Sequence, residues 1–600
     1  MTAALQPTPP SSVPQGGGFL FQDAGRARIT TPETFTEEQR MLFRTALQFC
    51  REQVLPQADA IEAKTPGLLR SLLAKAGELG LLMVDVPERF GGLGGDKTTS
   101  LLLAEANSLM GAWSVTFAAH VGIGTLPIAW FGTEAQKARW LPKLATGELV
   151  AAYALTEQGS GSDALGAKTK AVKSPDGKSW ILNGSKLYIT NAAFADVFVV
   201  FAKVDGEHFT GFVVEKGAPG FTVGPEEHKM GIRGSSTCPL YLEDVRIPVE
   251  NLLGEIGKGH KIAFNILNLG RLKLGAGVLG GMKLQFGNAL KFAEERKQFR
   301  TPVAKFPLTR EKLARMAAAI YAIETMTYRT SGVIDALLAS QGGAADDEAK
   351  TIAAFEEFAI EASIMKVMGS EALGQLVDDA VQIHGGAGFI QEYPVERAYR
   401  DARINRIFEG TNEINRMLVT GMLLKRAVKR TLPLFAQAEA VAQALAGKQL
   451  PVASGTDALS GAGRDAEALK MAALYAMKVA TERFGTEIEK HQDVMAAVAD
   501  VVMDAYAVDS MVTRTRQSAS AGALDPVKVA MTQAWTADAI ARSGERARRA
   551  LCASSEGPAP EKHLAAIAPL FAFRPFDPAA LRETVVLAAE EAGGYPLAIA

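Results

Sequence analysis

Strand-type sequence fills only one stretch of this chain, residues 150–248, and helix-type sequence flanks it on both sides. The strands are short: 168–173, 180–182, 197–203, 211–215 and 239–242. Turn signals such as Pro175-Asp176-Gly177 and Asn183-Gly184 separate them. Before them, Thr36-Glu37-Glu38-Gln39 reads as a capping box in which the Thr hydroxyl and the Gln side chain satisfy exposed N–H groups reciprocally. Helical patterns then run to about Gly147, broken by the loop 87–95, and resume over 259–429. The chain must therefore hold a small β unit between two helical ones. About 170 residues follow Arg430: a segment 434–446, a Gly/Ser/Pro-rich stretch 447–463, and more helical sequence over 465–552. The expected organisation is a disordered tail 1–35, a helical region 36–149, a β region 150–258, a helical region 259–430, a linker 431–464 and a helical extension 465–600.

Composition narrows the function classes. A net charge of −2 with no dominant basic face argues against nucleic acid as a partner. Cys50, Cys238 and Cys552 lie far apart with no CxxC pair, which suits a reducing compartment and neither a disulfide framework nor a metal site. The seven histidines lack ligand spacing. His384, inside a glycine-rich motif, reads as a packing residue or a support for its neighbours. Residues 1–18 carry no Lys or Arg, so neither a signal peptide nor a mitochondrial presequence is expected. No apolar run reaches transmembrane length, and a cytoplasmic protein is expected. The most basic helical stretch, 542–549, reads as a cationic helix end rather than a membrane anchor.

Three segments carry chemistry. Ile407-Phe408-Glu409-Gly410-Thr411-Asn412-Glu413 places a carboxylate between an aromatic and a glycine, shortly after the glycine-rich Gln382-Ile383-His384-Gly385-Gly386-Ala387-Gly388-Phe389. Apolar surroundings disfavour the charged form and raise the pKa toward the range of a general base. The loop Thr156-Glu157-Gln158-Gly159-Ser160-Gly161-Ser162 follows a short apolar strand, 151–155. Its glycines let a ligand approach the backbone, and Thr156 and Ser162 offer hydroxyls. That composition fits an ordinary polar turn as well. In Lys186-Leu187-Tyr188-Ile189-Thr190-Asn191 an aromatic and a hydroxyl stand two apart, on one strand face, where they can serve a planar ligand or simply pair across strands.

Order and spacing of these segments resemble the acyl-CoA dehydrogenase family over about 36–429. Two signature patterns are complete: Ala154-Leu155-Thr156-Glu157-Gln158 through Gly166, and Q-x-x-GG-x-GF-x-x-E-x-x-x-x-R-x-x-x-D from Gln382 to Asp401. Pro87-Glu88-Arg89-Phe90-Gly91-Gly92 and Glu295-Arg296-Lys297-Gln298-Phe299 add to the match. The length past Arg430 resembles the very-long-chain branch and its bacterial relatives. The resemblance implies an N-terminal helical domain, a β-barrel-like middle domain, a C-terminal four-helix bundle and an extra helical domain. It also implies FAD, an acyl-CoA substrate, a homodimer, and electron-transfer flavoprotein as acceptor. An oxidase on the same scaffold and a non-catalytic assembly protein are the alternatives.

By the same resemblance, Glu409 takes the α proton of the acyl-CoA while the β hydrogen leaves as hydride to the flavin, yielding a trans-2-enoyl-CoA. The thioester carbonyl accepts hydrogen bonds from the Glu409 N–H and the flavin ribityl chain. Some relatives carry the base at the position of Gly270, which can accept no proton here and is expected to leave room for a long acyl tail. Ser162, Asn268, Arg271 and Gly410 match substrate contacts. Tyr153, Leu155, Thr156, Gly161 and Ser162 match residues around the isoalloxazine, with Tyr188, Ile189 and Thr190 behind the ring; many relatives have Trp at Tyr188. Arg296, Gln382, Gly385 and Gly386 match residues reaching the flavin pyrophosphate across the dimer interface. Thr411 and Glu413 match the adenosine side. Glu157 and Glu413 are given no proton-transfer role.

Overall fold

The computed structural model describes residues 15–25, 27–342, 347–452, 456–519, 522–572 and 574–599. Five principal helices build the first region: α1 (Glu37–Phe49), α2 (Leu68–Glu78), α3 (Lys97–Ala106), α4 (Gly111–Ala118) and α5 (Glu134–Ala145). α1 starts at the expected box: the Gln39 N–H donates to Thr36 Oγ1 at 3.2 Å and the Thr36 N–H to Gln39 Oε1 at 3.0 Å. Thr133 and Gln136 repeat the device at the start of α5.

The β region holds β1 (Ala151–Ala154), β2 (Lys170–Lys173), β3 (Ser179–Thr190), β4 (Val197–Val204), β5 (His208–Glu215), β6 (Phe221–Val223), β7 (Thr237–Pro248) and β8 (Leu252–Leu253). Their order is β6-β7-β3-β2-β4-β5-β8, with β1 parallel to β4. β4 is buried at nearly every position, because β1, β2 and β5 all pair with it and helices cover the sheet. That is why its sequence, Val-Phe-Val-Val-Phe, shows no polar alternation.

A bundle of α6 (Gly259–Ala276), α7 (Leu279–Glu295), α8 (Pro307–Ser340), α9 (Ala359–His384) and α10 (Asn412–Val428) follows. The extension adds α11 (Leu434–Ala446), α12 (Ser460–Phe484), α13 (Gln492–Gln517), α14 (Pro526–Ala553) and α15 (Pro578–Ala592). It packs along α8 through a buried ionic seam. Arg514 pairs with Glu324 at 2.7 Å, Arg329 with Asp509 at 2.5 Å, and Lys470 with Asp509 at 3.2 Å.

Four expectations need correction. The tail expected to be disordered is a strap from residue 15 onward, with Phe19 and Leu20 buried. Its N–H groups at Gly17, Ala24 and Ile29 donate to Glu361, Glu467 and Gln517. Those partners lie more than three hundred residues away, so no local pattern announces them; residues 1–14 fall outside the described residues. The linker 431–464 contains the whole of α11, and α12 already begins at Ser460. Two helical stretches, Gly111–Phe131 and Gly259–Glu295, are long and apolar enough to cross a membrane, but most of each is buried in the core. A helix apolar all round is what a core position requires. The basic stretch lies inside α14, not at its end, and Arg542 and Arg546 are paired with Asp504 and Asp500.

Candidate active site

A cavity of about 1450 Å³ opens where the β region meets the bundle. It is lined by Tyr153, Leu155, Thr156, Gly161, Ser162, Tyr188, Ile189, Thr190, Asn268, Arg271, Glu409, Gly410 and Thr411. The sequence points to each of them, and they come from four separate segments.

Glu157 organises the loop after β1. Its carboxylate accepts from the Lys168 and Thr169 N–H groups, the Thr169 hydroxyl at 2.6 Å and the Lys186 ammonium at 2.7 Å. Lys186 also donates to the Leu155 carbonyl. Burial works against the Glu157 charge, but Lys186 and these hydrogen bonds outweigh it and hold the carboxyl below its usual range. The knot ties the loop to β3. Glycine-rich residues that could wander are thereby held open beside the cavity.

β3 does not continue as a simple alternating strand. Its register against β7 shifts between Lys186 and Ile189, and Tyr188 sits at φ 61°. Tyr188 lies within this bulge, so regular alternation does not by itself align it with Thr190, yet both line the cavity. The bulge turns Tyr188 outward, 63% exposed beside the cavity. A left-handed backbone at an aromatic residue is strained, and such outliers gather at ligand sites.

The opposite walls are two helices. His260, Lys261, Phe264, Leu267, Asn268 and Arg271 line the cavity from α6, and Ile414, Leu418, Met422 and Lys425 from α10, at helical three-to-four spacing. Glu409 sits on the turn before α10 at φ 58°, followed by Gly410 at φ 78°. The Asn415 side chain donates to the Gly410 and Thr411 carbonyls at 2.9 and 3.0 Å. Arg271 donates from Nε to the Glu409 carbonyl at 3.2 Å and from Nη1 to Asn268 Oδ1 at 2.9 Å. The turn is thus fixed through its main chain. The Glu409 side chain is left free: Oε2 is buried with no hydrogen-bond partner among the described residues. Burial pushes its carboxyl up to about 7, against the pull of Arg271 and Lys366. Burial also holds the Tyr153 phenol neutral, reinforced by Glu409, and its hydroxyl is likewise unpartnered.

Gly270 does not simply leave empty room. A Cβ there would lie 2.5 Å from Glu409 Oε2, so the space a side chain would fill is occupied by the carboxylate.

Not every expected residue joins the cavity. Glu413 points to solvent on α10, and Arg296, Gln382, Gly385 and Gly386 are exposed outside it. Phe299 and Phe389 in the same two segments are exposed too, and Phe292 at the end of α7 stacks on His384 at 4.3 Å, which brings the two segments together. That contact makes His384 a packing residue. Sequence reasoning missed Asn415, Asn412 and Lys366. Only Lys366 leaves a signal, a lone cation in the apolar run Ile364-Met365-Lys366-Val367-Met368.

The residues fit FAD. Tyr153 offers a buried unpartnered hydroxyl, a Cβ on Gly161 would meet open space, and Tyr188 presents an exposed ring. The hydroxyls of Thr156, Ser162 and Thr190 make no hydrogen bond to other described residues. This is the periphery a planar, heteroatom-rimmed ring needs.

Comparison with known proteins agrees. Family models described as acyl-CoA dehydrogenase N-terminal, middle and C-terminal domains match residues 36–148, 152–245 and 257–424, and a second C-terminal-domain model matches 468–568. A probable acyl-CoA dehydrogenase of Bacillus subtilis is 48% identical over 551 residues, 91% of this chain and 92% of that one. The human very long-chain specific acyl-CoA dehydrogenase is 40% identical over 477 residues, 74% of this chain and 70% of that one. A crystal structure of an acyl-CoA dehydrogenase complexed with FAD from Bacillus anthracis superposes with a TM-score of 0.93 at 43% identity, covering 97% of this chain and 100% of that one.

Proposed function

Because the chain belongs to the acyl-CoA dehydrogenase family of FAD-dependent oxidoreductases, we propose that it dehydrogenates a long-chain acyl-CoA at Cα and Cβ, with Glu409 as the base. The observation that carries this reading is the buried Glu409 carboxylate, one oxygen unpartnered, on a turn whose main chain is pinned from both sides. An α C–H beside a thioester is too weakly acidic for a base alone. Donors placed on the carbonyl, the Glu409 N–H among them, stabilise the developing enolate charge in a site that excludes water. FAD bound against Tyr188 and Thr190 supplies the two-electron acceptor for the β hydride. Asn268 and Arg271 hold the substrate arm along α6, and Lys261, Lys425 and Lys429 at the groove's far end suit the phosphates of CoA.

A narrow second cavity of about 140 Å³ continues past Glu409, lined by Leu269, Gly277, Val278 and Leu373. Its walls are mostly apolar, with Lys273, Gln285 and Asp401 among them, and its place beside Glu409 supports an acyl tail running into it. In this reading electrons pass to an electron-transfer flavoprotein, and the pathway is fatty-acid β-oxidation. The exposed patch of Arg296, Gln382, Gly385 and Gly386, beside Phe299 and Phe389 at 92% and 85% exposure, supports a homodimer in which each copy reaches the other's flavin.

The test is the visible spectrum of the purified protein under anaerobic titration with acyl-CoAs from butyryl to palmitoyl and longer. Bleaching should be complete with the long chains, on a species of twice the 63.7 kDa chain mass. Bleaching by short chains only would overturn the long-chain assignment, and fast dioxygen consumption would replace the dehydrogenase by an oxidase. Gly270→Ala should lower kcat by about 10²-fold, the cost of moving a reacting group by about 1 Å, with flavin content unchanged. An unaltered kcat would show that Glu409 has room to shift.

A further inference from the structure

Lys366 lies in the first third of α9, fully buried at 0% exposure, and forms no ion pair within 4 Å among the described residues. A lysine in such a place is unfavourable unless something is gained from its charge. Its Nζ donates to Asn412 Oδ1 at 2.7 Å. Asn412 in turn donates to Ser370 Oγ and Glu371 Oε1, both at 3.0 Å. Asn412 opens α10, three residues after Glu409, so this polar box fastens the turn that carries the carboxylate to α9. Arg271 fastens the same turn from α6.

We propose that Lys366 is a positioning residue for the reaction: through Asn412 it clamps the Glu409–Asn412 turn, and from that place its charge helps set the pH at which Glu409 becomes a base. This rests on the reading of Glu409 given above. The groups facing Glu409 are Arg271 from α6, Lys366 from α9 and Tyr153 from β1. Those facing Lys366 are Glu409, Arg271, Glu413 and Glu371. Arg271 is committed to Asn268 and to the Glu409 carbonyl. Arg271 and Lys366 both act on the carboxylate through space, Arg271 the more strongly, and Lys366 grips the turn as well through Asn412. Burial lowers Lys366 to about 8, against the opposing pull of Glu409. Near neutral pH the cation and the carboxylate therefore coexist.

The test compares the FAD-loaded wild type with Lys366→Met and Lys366→Arg. Lys366→Met should move the acid limb of the kcat/KM profile up by about one pH unit, roughly tenfold in proton concentration, while Lys366→Arg keeps it in place. A second readout needs no turnover: the infrared carboxyl band that disappears in Glu409→Gln, titrated in each variant, should move with the limb. If Lys366→Met loses flavin, that band in the apoprotein still decides. An acid limb and band that stay at the wild-type pH in Lys366→Met overturn the proposal, even if kcat falls. Loss of all turnover in Glu409→Gln, with its band, tests the underlying reading separately.

Discussion

Glu409→Gln should abolish dehydrogenation while leaving the fold and the flavin in place, with turnover falling by about 10³-fold or more. General base catalysis accounts for roughly 10²–10⁴-fold, and no second carboxylate can substitute. Glu157 is locked in its knot with Lys186, and Glu413 faces solvent. Flavin bleaching by acyl-CoA in the variant at the wild-type rate would remove Glu409 from the mechanism. In the wild type, with the Glu409 carboxyl near 7 in the free protein, kcat/KM should fall tenfold per pH unit below about 7.

The same variant should be more stable than the wild type. A carboxyl with a raised folded-state pKa makes the native state bind more protons than the unfolded chain between its ordinary 4.5 and about 7. Stability is then lost as pH rises through that window, and the deficit is fully present above 7. Glutamine carries no charge and escapes it. Thermal melts of the apoprotein should place Glu409→Gln above the wild type at pH 8, with the gap closing toward pH 4.5. A gap of equal size at both pH values would mean that packing, not ionisation, separates the two. The cost tolerated at this position is the usual trade of stability for a charged group kept ready in an apolar site.

Lys186→Met should have the largest effect on stability. Lys186 is 0% exposed and Glu157 8%, and removing one partner strands the other's charge in the interior. Breaking such a pair costs about 3–5 kcal/mol, read as a shift in urea midpoint at pH 7. Flavin should be lost with it, since the knot holds residues 156–166 against β3. Adding Glu157→Gln should recover part of the loss, because no buried charge then remains. Glu157's folded-state pKa is depressed, so the pair's contribution is present above its ordinary 4.5 and fades as pH falls below it. Near-identical midpoints for wild type and Lys186→Met at pH 7 would show that solvent reaches Glu157 and that the knot does not hold the loop.

Much of the site is legible in the amino-acid sequence. Thr156, Ser162, Tyr188, Arg271 and Glu409 come from segments spread over more than two hundred residues, yet all line one cavity. They are legible because loop chemistry is local: glycines, hydroxyls and a carboxylate beside an aromatic advertise themselves in short windows. Tyr188 shows the limit. The sequence points to the residue but gives the wrong geometry for it, because a bulge depends on how β3 pairs with β7. Gly270 is similar. Its lack of a side chain reads as spare room, whereas the Glu409 carboxylate from 139 positions later occupies it.

Short-range pattern therefore determined the helix–sheet–helix order, the family and the residues that line the cavity, since period, turn chemistry and motif spacing are written within a few tens of residues. Only the tertiary structure decided what those residues experience. The strap, residues 15–25 and 27–35, is ordered by acceptors on α9, α12 and α13. The Glu409 carboxyl is raised because packing buries it, against the pull of Arg271 on α6 and Lys366 on α9, and Lys366 reaches the same turn through Asn412 at the start of α10. Burial and electrostatics depend on which distant groups are brought within a few ångströms, and that is a property of the packed chain alone.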